Sequence, residues 1–160
     1  MKLKNVEIFL QRKYDKSFKF TDNRDKVKPY TKLTKPLKQS KLALITSSGL
    51  YKKEEQAFDT EALLGDTTFR IIRKTDDLNT LDIAHTHYDH KFIREDINTV
   101  YPMKHLEKLV NENFLGQVAD NHYSFCGFIL DTENLINETA KGILEELKKD
   151  NVDIVLLAPV

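Results

Sequence analysis

Apolar positions along the chain fall into short continuous runs and one long amphipathic stripe. Leu42-Ala43-Leu44-Ile45-Thr46 is apolar, of strand length, and ends in the turn signal Ser47-Ser48-Gly49, the pattern of a parallel strand buried on both faces. Residues 69–73 read as a second strand nearer an edge, and 81–84 as a third. Residues 50–66 are charged and loop-like. Pro102 suits the first turn of a helix in which Met103, Leu106, Leu109 and Val110 share a face, with Gly116 marking its end. Residues 123–129 form a further strand or a tight turn around Gly127. The clearest element is a helix over 132–149, where Leu135, Ile136, Thr139, Ala140, Ile143, Leu144 and Leu147 make one stripe and Asp131 or Thr132 caps the start. Residues 152–158 then read as a fully buried strand. Strands alternating with helices predict an α/β fold with a mostly parallel open sheet flanked by helices, in Rossmann- or flavodoxin-like layers.

Composition narrows the picture. The 160 residues suffice for one domain with a real core. Net charge is zero but uneven: residues 1–41 hold 13 Lys/Arg against 4 Asp/Glu, and residues 42–160 hold 12 against 21. Residues 1–40, punctuated by Pro29 and Pro36, therefore read as a basic arm, extended with at most a short strand or helix. Residues 41–160 read as the α/β domain. The arm suits an acidic partner surface or the acidic domain itself; without aromatic-interleaved or glycine-rich RNA motifs, a nucleic-acid partner is not expected. No apolar stretch approaches a membrane span, and residues 1–10 hold no signal-peptide core. Cys126 is the only cysteine, so an intrachain disulfide is excluded and a cytoplasmic location is expected.

The densest chemistry is His85-Thr86-His87-Tyr88-Asp89-His90, three of the five histidines in six residues, directly after a strand. Strand ends are where open α/β folds keep their sites. The spacing His85-x-His87-x-Asp89-His90 also matches the metal motif of metallo-β-lactamase-like hydrolases, and imidazoles with a carboxylate suit zinc. That fold needs further ligands and glycine-rich loops, and only His105 and His122 remain. A hydrogen-bonded structural loop is the third reading. Asp96 and Asn98 either orient a substrate or cap a loop. His122 is either an acid–base group, its ordinary pKa lying near neutrality, or a satisfied structural histidine. Ser47, Ser48 and Gly49 either offer N–H groups to a carboxylate or form an ordinary turn. Cys126, in an aromatic stretch, reads as a small buried apolar residue.

Several motifs agree in order and spacing: 43–50, His85 to His90, Asp96-Ile97-Asn98, Tyr101-Pro102 ahead of a helix, His122-Tyr123-Ser124-Phe125 before Gly127, and the terminal run 152–160. Over residues 42–160 the chain resembles the selenoprotein B family of the glycine, sarcosine, betaine and D-proline reductases. The chain departs from the family at Tyr101, where phenylalanine is usual, at Cys126, where methionine is usual, and at Asn151, where glycine is usual; asparagine tolerates the positive φ that glycine would supply there.

The resemblance implies a component of a reductase that cleaves C–N bonds of small amino acids or amines. Its cofactors are a selenocysteine or cysteine redox centre and a pyruvoyl group on a partner subunit, with a thioredoxin-like reductant restoring the thiol or selenol. It places His85, His87, Asp89, His90 and His122 as catalytic residues. Tyr88, Asp96, Asn98, Tyr123, Ser124, Ser47, Ser48 and Gly49 become substrate contacts, and no metal site is expected. The family's nucleophile falls directly after Val160. The expectation is therefore a chain ended at a UGA codon and inactive as it stands, with a non-catalytic binding or assembly module of the same fold as the alternative. A UGA followed by an in-frame helical segment in the gene is the matching observation. An apolar strand left at a sheet edge further predicts self-association.

Overall fold

The computed structural model describes residues 3–13, 16–20, 24–27 and 31–160. It separates into two compact units, residues 1–32 and 33–160.

In the first unit, Leu3–Lys13 form helix α1. Its partly buried positions Val6, Glu7, Leu10 and Gln11 lie on one stripe. Two of the four are polar, which is why the apolar periodicity is weak. Both bond back to the following segment: Gln11 Nε2 donates to Phe18 O (2.7 Å) and Phe20 N–H donates to Glu7 Oε2 (3.0 Å). Phe18 and Phe20 meet edge to face at 5.2 Å. Pro29 lies outside the described residues.

In the second unit β1 (Lys41–Thr46) is the centre of a five-stranded sheet. Leu42 and Leu44 enter one core cluster, and Ala43 and Ile45 the other. β7 (Ile154–Ala158) runs parallel along one side, from Leu42↔Ile154 to Thr46↔Ala158. The other side is shared by β5 (Gln117–Val118) and β6 (Asn121–Phe125), both parallel to β1. β3 (Phe69–Arg73) closes that side antiparallel to β6, at an edge as its mixed pattern predicts. The predicted third strand, β4 (Leu81–Ile83), stands outside this sheet. It pairs antiparallel with β2 (Leu50–Lys52) in a two-stranded ribbon, so the sheets together are parallel only in part. Helices α2 (Lys91–Glu95) and α3 (Met103–Asn111) follow the ribbon. Met103 and Leu106 of α3 pack in the core on one sheet face.

The predicted long helix is three joined pieces: α4 (Thr132–Asn134), a π-helical turn (Leu135–Thr139) and α5 (Ala140–Lys149). Asp131 caps its start, accepting Asn134 N–H at 3.0 Å. The wide turn rotates the stripe, so Ile143 and Leu147 are buried while Ile136 is 63% and Leu144 48% exposed. Tertiary contacts hold the turn: the Thr139 hydroxyl donates to Thr67 O, and Asn134 Nδ2 donates to Thr67 Oγ1 at 2.8 Å. Asn151, at φ 53, ends α5 in the left-handed conformation.

β7 is the strand expected over 152–158. Among the described residues it pairs on one side only, with β1, and Leu157 is 67% exposed. Replacing Leu157 with lysine is expected to suppress self-association without loss of stability, since the side chain buries little and an edge lysine blocks strand addition. Light scattering at high concentration reads this directly. No helix among the described residues is long and apolar enough to cross a membrane.

Candidate functional site at the strand ends

The parallel strands β1, β6 and β7 end together, and β4 ends beside them. The turn after Thr46 stitches the four ends. Gly49 N–H donates to Phe125 O (3.0 Å), Gly127 N–H to Ser47 O (2.9 Å), Ala84 N–H to Gly49 O (2.9 Å) and Ser47 N–H to Ala158 O (3.3 Å). Val160 N–H donates to Ser47 Oγ at 3.0 Å. Gly49 holds φ +71, a conformation that suits glycine. Ser47, Ser48 and Gly49 are thus a turn whose N–H groups are largely spent on the fold; Ser48 N–H donates weakly to Thr46 Oγ1 at 3.3 Å.

Residues 85–90 cross these ends as a strap. His85, 6% exposed, is its root. A side chain at Gly127 would come within 2.9 Å of His85 Nε2, so the glycine makes room for the imidazole. His85 Nδ1 accepts His87 N–H at 3.1 Å. Burial, then the neighbouring His87 and His90, holds the His85 pKa below its ordinary value. The Tyr88 hydroxyl donates to Ser48 O at 2.7 Å. Burial, with Cys126 adding to it, pushes the Tyr88 pKa up to about 12.

The rings stack in series. Phe128 lies on His87 at 4.2 Å and 22°, His87 meets His85 at 5.8 Å, His85 meets Tyr88 at 4.5 Å, and Tyr88 meets His90 at 4.8 Å. They do not point at a common centre. Among the described residues no three His, Cys, Asp or Glu side chains are placed to hold a metal ion, so the zinc-hydrolase geometry is not formed. His87 Nδ1 and the Thr86 hydroxyl are 3.2 Å apart. Exposed Asp89 accepts Lys91 N–H at 2.9 Å.

Under the strap lie Thr46, Ser48 and Ser124, all 0% exposed. Thr46 and Ser124 are register partners, and Thr46 Oγ1 donates to Ser48 Oγ at 3.0 Å. Ser124 Oγ has no hydrogen-bond partner among the described residues. Cys126 Sγ donates to Ala84 O at 3.2 Å. Burial, then Asp66, pushes its pKa up, so this thiol is a poor nucleophile.

Four predicted site residues lie apart from the strap. His122 is 0% exposed within β6, its ring 5.8 Å from Tyr101. From Lys41 to Ile45 β1 advances four residues, while its partners advance six, from Gln117 to Tyr123. The gap in the ladder leaves Leu44 N–H to donate to His122 Nδ1 at 3.0 Å. Burial pulls the His122 pKa down to about 4. The geometry is that of a neutral imidazole built into the sheet. Asp96 and Asn98 form a loop cap: Asp96 Oδ1 accepts from Asn98 N and Nδ2 (2.9 and 2.8 Å), and Asn98 Oδ1 accepts Lys104 N–H (3.2 Å). Tyr123, 0% exposed, points into the opposite core cluster beside Phe69. Sequence reasoning left Thr46, Gly127 and Phe128 out of the site. Gly127 carried a signal, a glycine directly after a strand. The left-handed Phe128, at φ 64, carried none.

The sequence model of the family described as glycine/sarcosine/betaine reductase selenoprotein B matches residues 2–160. The chain is 33% identical over 128 residues to the D-proline reductase subunit gamma of Acetoanaerobium sticklandii, covering 80% of this chain and 52% of that protein. It is 30% identical over 125 residues to the glycine reductase complex component B subunit gamma of Symbiobacterium thermophilum, covering 77% of this chain and 29% of that protein. It therefore spans about half the length of the first and under a third of the second. No solved structure matches. A histidine-bearing strap over stitched strand ends is thus found in a chain that belongs to the glycine/sarcosine/betaine reductase selenoprotein B family.

Proposed function

We propose that residues 33–160 form the substrate-facing scaffold of a reductase component that cleaves C–N bonds of small amino acids or amines. The observation that carries this reading is the convergence of β1, β4, β6 and β7 on Ser47 to Gly49, with His85 seated against Gly127. In this reading His87 and His90 donate and accept protons from the strap, Asp89 holds the turn into α2 through Lys91 N–H, and His85 and Tyr88 fix the strap's shape. His122 serves the site by keeping β6 in register. The selenocysteine or cysteine redox centre and the pyruvoyl group belong to the complex, with a thioredoxin-like reductant; together they supply the nucleophilic and electrophilic chemistry when present. The residues here suit such a centre: Ser47 Oγ holds Val160 N–H, so a nucleophile following β7 enters beside the strap. Cys126, buried and with its pKa raised, is not that nucleophile. The assembly works in the cytoplasm.

Titration of the isotopically labelled full chain with glycine or D-proline tests this. Amide shifts are expected at 47–49, 85–90 and 126–128. Shifts confined to residues 76–83 and 93–97, which line a separate cleft, or none at all, would overturn the assignment.

A further inference from the structure

Among the described residues, no backbone group of residues 85–89 hydrogen-bonds to the sheet. The backbone N–H of His87 is taken by His85 within the segment itself. Between its root at His85 and His90, whose carbonyl accepts Arg94 N–H, the strap is pinned to the sheet by one bond, Tyr88 hydroxyl to Ser48 O. Segments with so few backbone bonds open well below the free energy of global unfolding. Beneath the pin, Thr46 and Ser124 are register partners on neighbouring strands, beside Ser48, and Ser124 Oγ is buried without a partner. A buried hydroxyl left unpaired is unfavourable in the closed state and ready for a ligand in the open one. Opening also frees one acceptor, the Ser48 carbonyl released by Tyr88.

We propose that the His85–His90 strap swings about His85, with Tyr88 as its latch, and uncovers a small-ligand site floored by Thr46, Ser48 and Ser124. Hydroxyl donors beside a freed carbonyl acceptor suit a small carboxylate carrying an ammonium N–H. The ammonium replaces the Tyr88 hydroxyl at Ser48 O, and the carboxylate accepts from the serine and threonine hydroxyls. A quaternary amine has no N–H and cannot make the first contact. The choice of ligand rests on the function proposed above; the latch does not.

Cys126 reports on the latch because it is the only thiol in the chain and lies beside the strap's root. In the full-length protein, its rate of reaction with 5,5'-dithiobis(2-nitrobenzoate) is expected to be insensitive to low urea, the mark of a local opening. Tyr88→Phe removes the latch bond and is expected to accelerate the reaction about fivefold. Because a ligand that binds only the open form gains affinity with its population, Tyr88→Phe should tighten glycine and D-proline binding by the same factor, read by NMR titration, and betaine should not bind. Labelling that follows global unfolding in urea, or is unchanged by Tyr88→Phe, overturns the latch, and the urea dependence of the wild type decides this even if the variant folds poorly. Betaine binding as well as glycine overturns the ammonium contact. Binding by none of the three removes both the ligand assignment and the reading in the preceding section, while the labelling rates still decide the latch.

Discussion

His122→Ala is expected to lower the unfolding free energy by about 3 kcal/mol, the sum of a side-chain cavity and a buried Leu44 N–H left without an acceptor. The residue stands where the β5–β6 side of the sheet runs two residues longer than β1, and its Nδ1 substitutes for the missing ladder carbonyl. The same geometry fixes the pH response. Folded His122 titrates at about 4 against an ordinary 6.5, because burial opposes its charge. Above pH 6.5 the imidazole is neutral in both states and costs nothing. As pH falls below 6.5 the unfolded chain takes a proton that the folded chain refuses, so stability drops until about pH 4, by a total on the order of 3 kcal/mol. His85, also shifted down by burial, adds to the loss in the same direction. Urea denaturation at pH 7.5, 6 and 5 reads the slope. His122→Asn, which keeps an acceptor but no titratable group, should flatten most of it. A slope unchanged in that variant would place the acid sensitivity elsewhere.

Gly49→Ala is expected to have an effect at least as large, by a different route. The residue sits at φ +71, and an added Cβ would lie 2.3 Å from the Ala84 carbonyl oxygen and 3.0 Å from its carbon. Both obstacles are backbone and cannot rotate away. Relief requires β4 to move off the end of β1, which breaks the Ala84 N–H to Gly49 O bond and strains the Gly49 N–H to Phe125 O bond. The left-handed penalty and the lost bonds together amount to about 3 kcal/mol or more. The root of the strap shifts with them, so ligand-induced NMR shifts at residues 85–90 should vanish even under conditions where the variant is folded. Gly142→Ala is the matching control. There the new methyl meets only the Phe69 ring edge at 3.1 Å, which can give, and alanine favours the helix by about 1 kcal/mol. A neutral or slightly stabilising result is expected from chemical denaturation.

What the sequence made legible is what local patterns encode. β1, β3 and α3 announce themselves through runs and spacings that their own backbones satisfy. β4 reads correctly as a strand, but three residues do not specify a partner, and its pairing with β2 is decided by the Gly49 turn. The run in β7 looks the same whether one or both of its edges are paired. The stripe of 132–149 assumes 3.6 residues per turn throughout, and the Thr139 bond to Thr67, 72 residues away, overrides it. In the site, the histidines are legible because they are contiguous. The inward turn of His122 was not, because it depends on a register offset created by Gln117 to Tyr123 against β1. Tyr123 and Ser124 are adjacent in sequence yet belong to opposite faces, so one lies under the strap and the other in the far core. The Asp96-Asn98 pair forms the loop cap that its spacing allows.

The central position of β1 has a consequence for the living chain. β1 leaves the ribosome well ahead of its sheet partners: β5 begins 76 residues later and β7 more than 110 later. At roughly 5–20 residues per second, that leaves an apolar strand unpaired for about 4 to 15 seconds of synthesis. During that interval Leu42 to Ile45 is the segment most open to chaperones and to wrong partners, and the Ser47 turn that later gathers four strand ends has nothing yet to gather. The gathered strand ends under the strap are therefore assembled late and all at once, when β7 arrives.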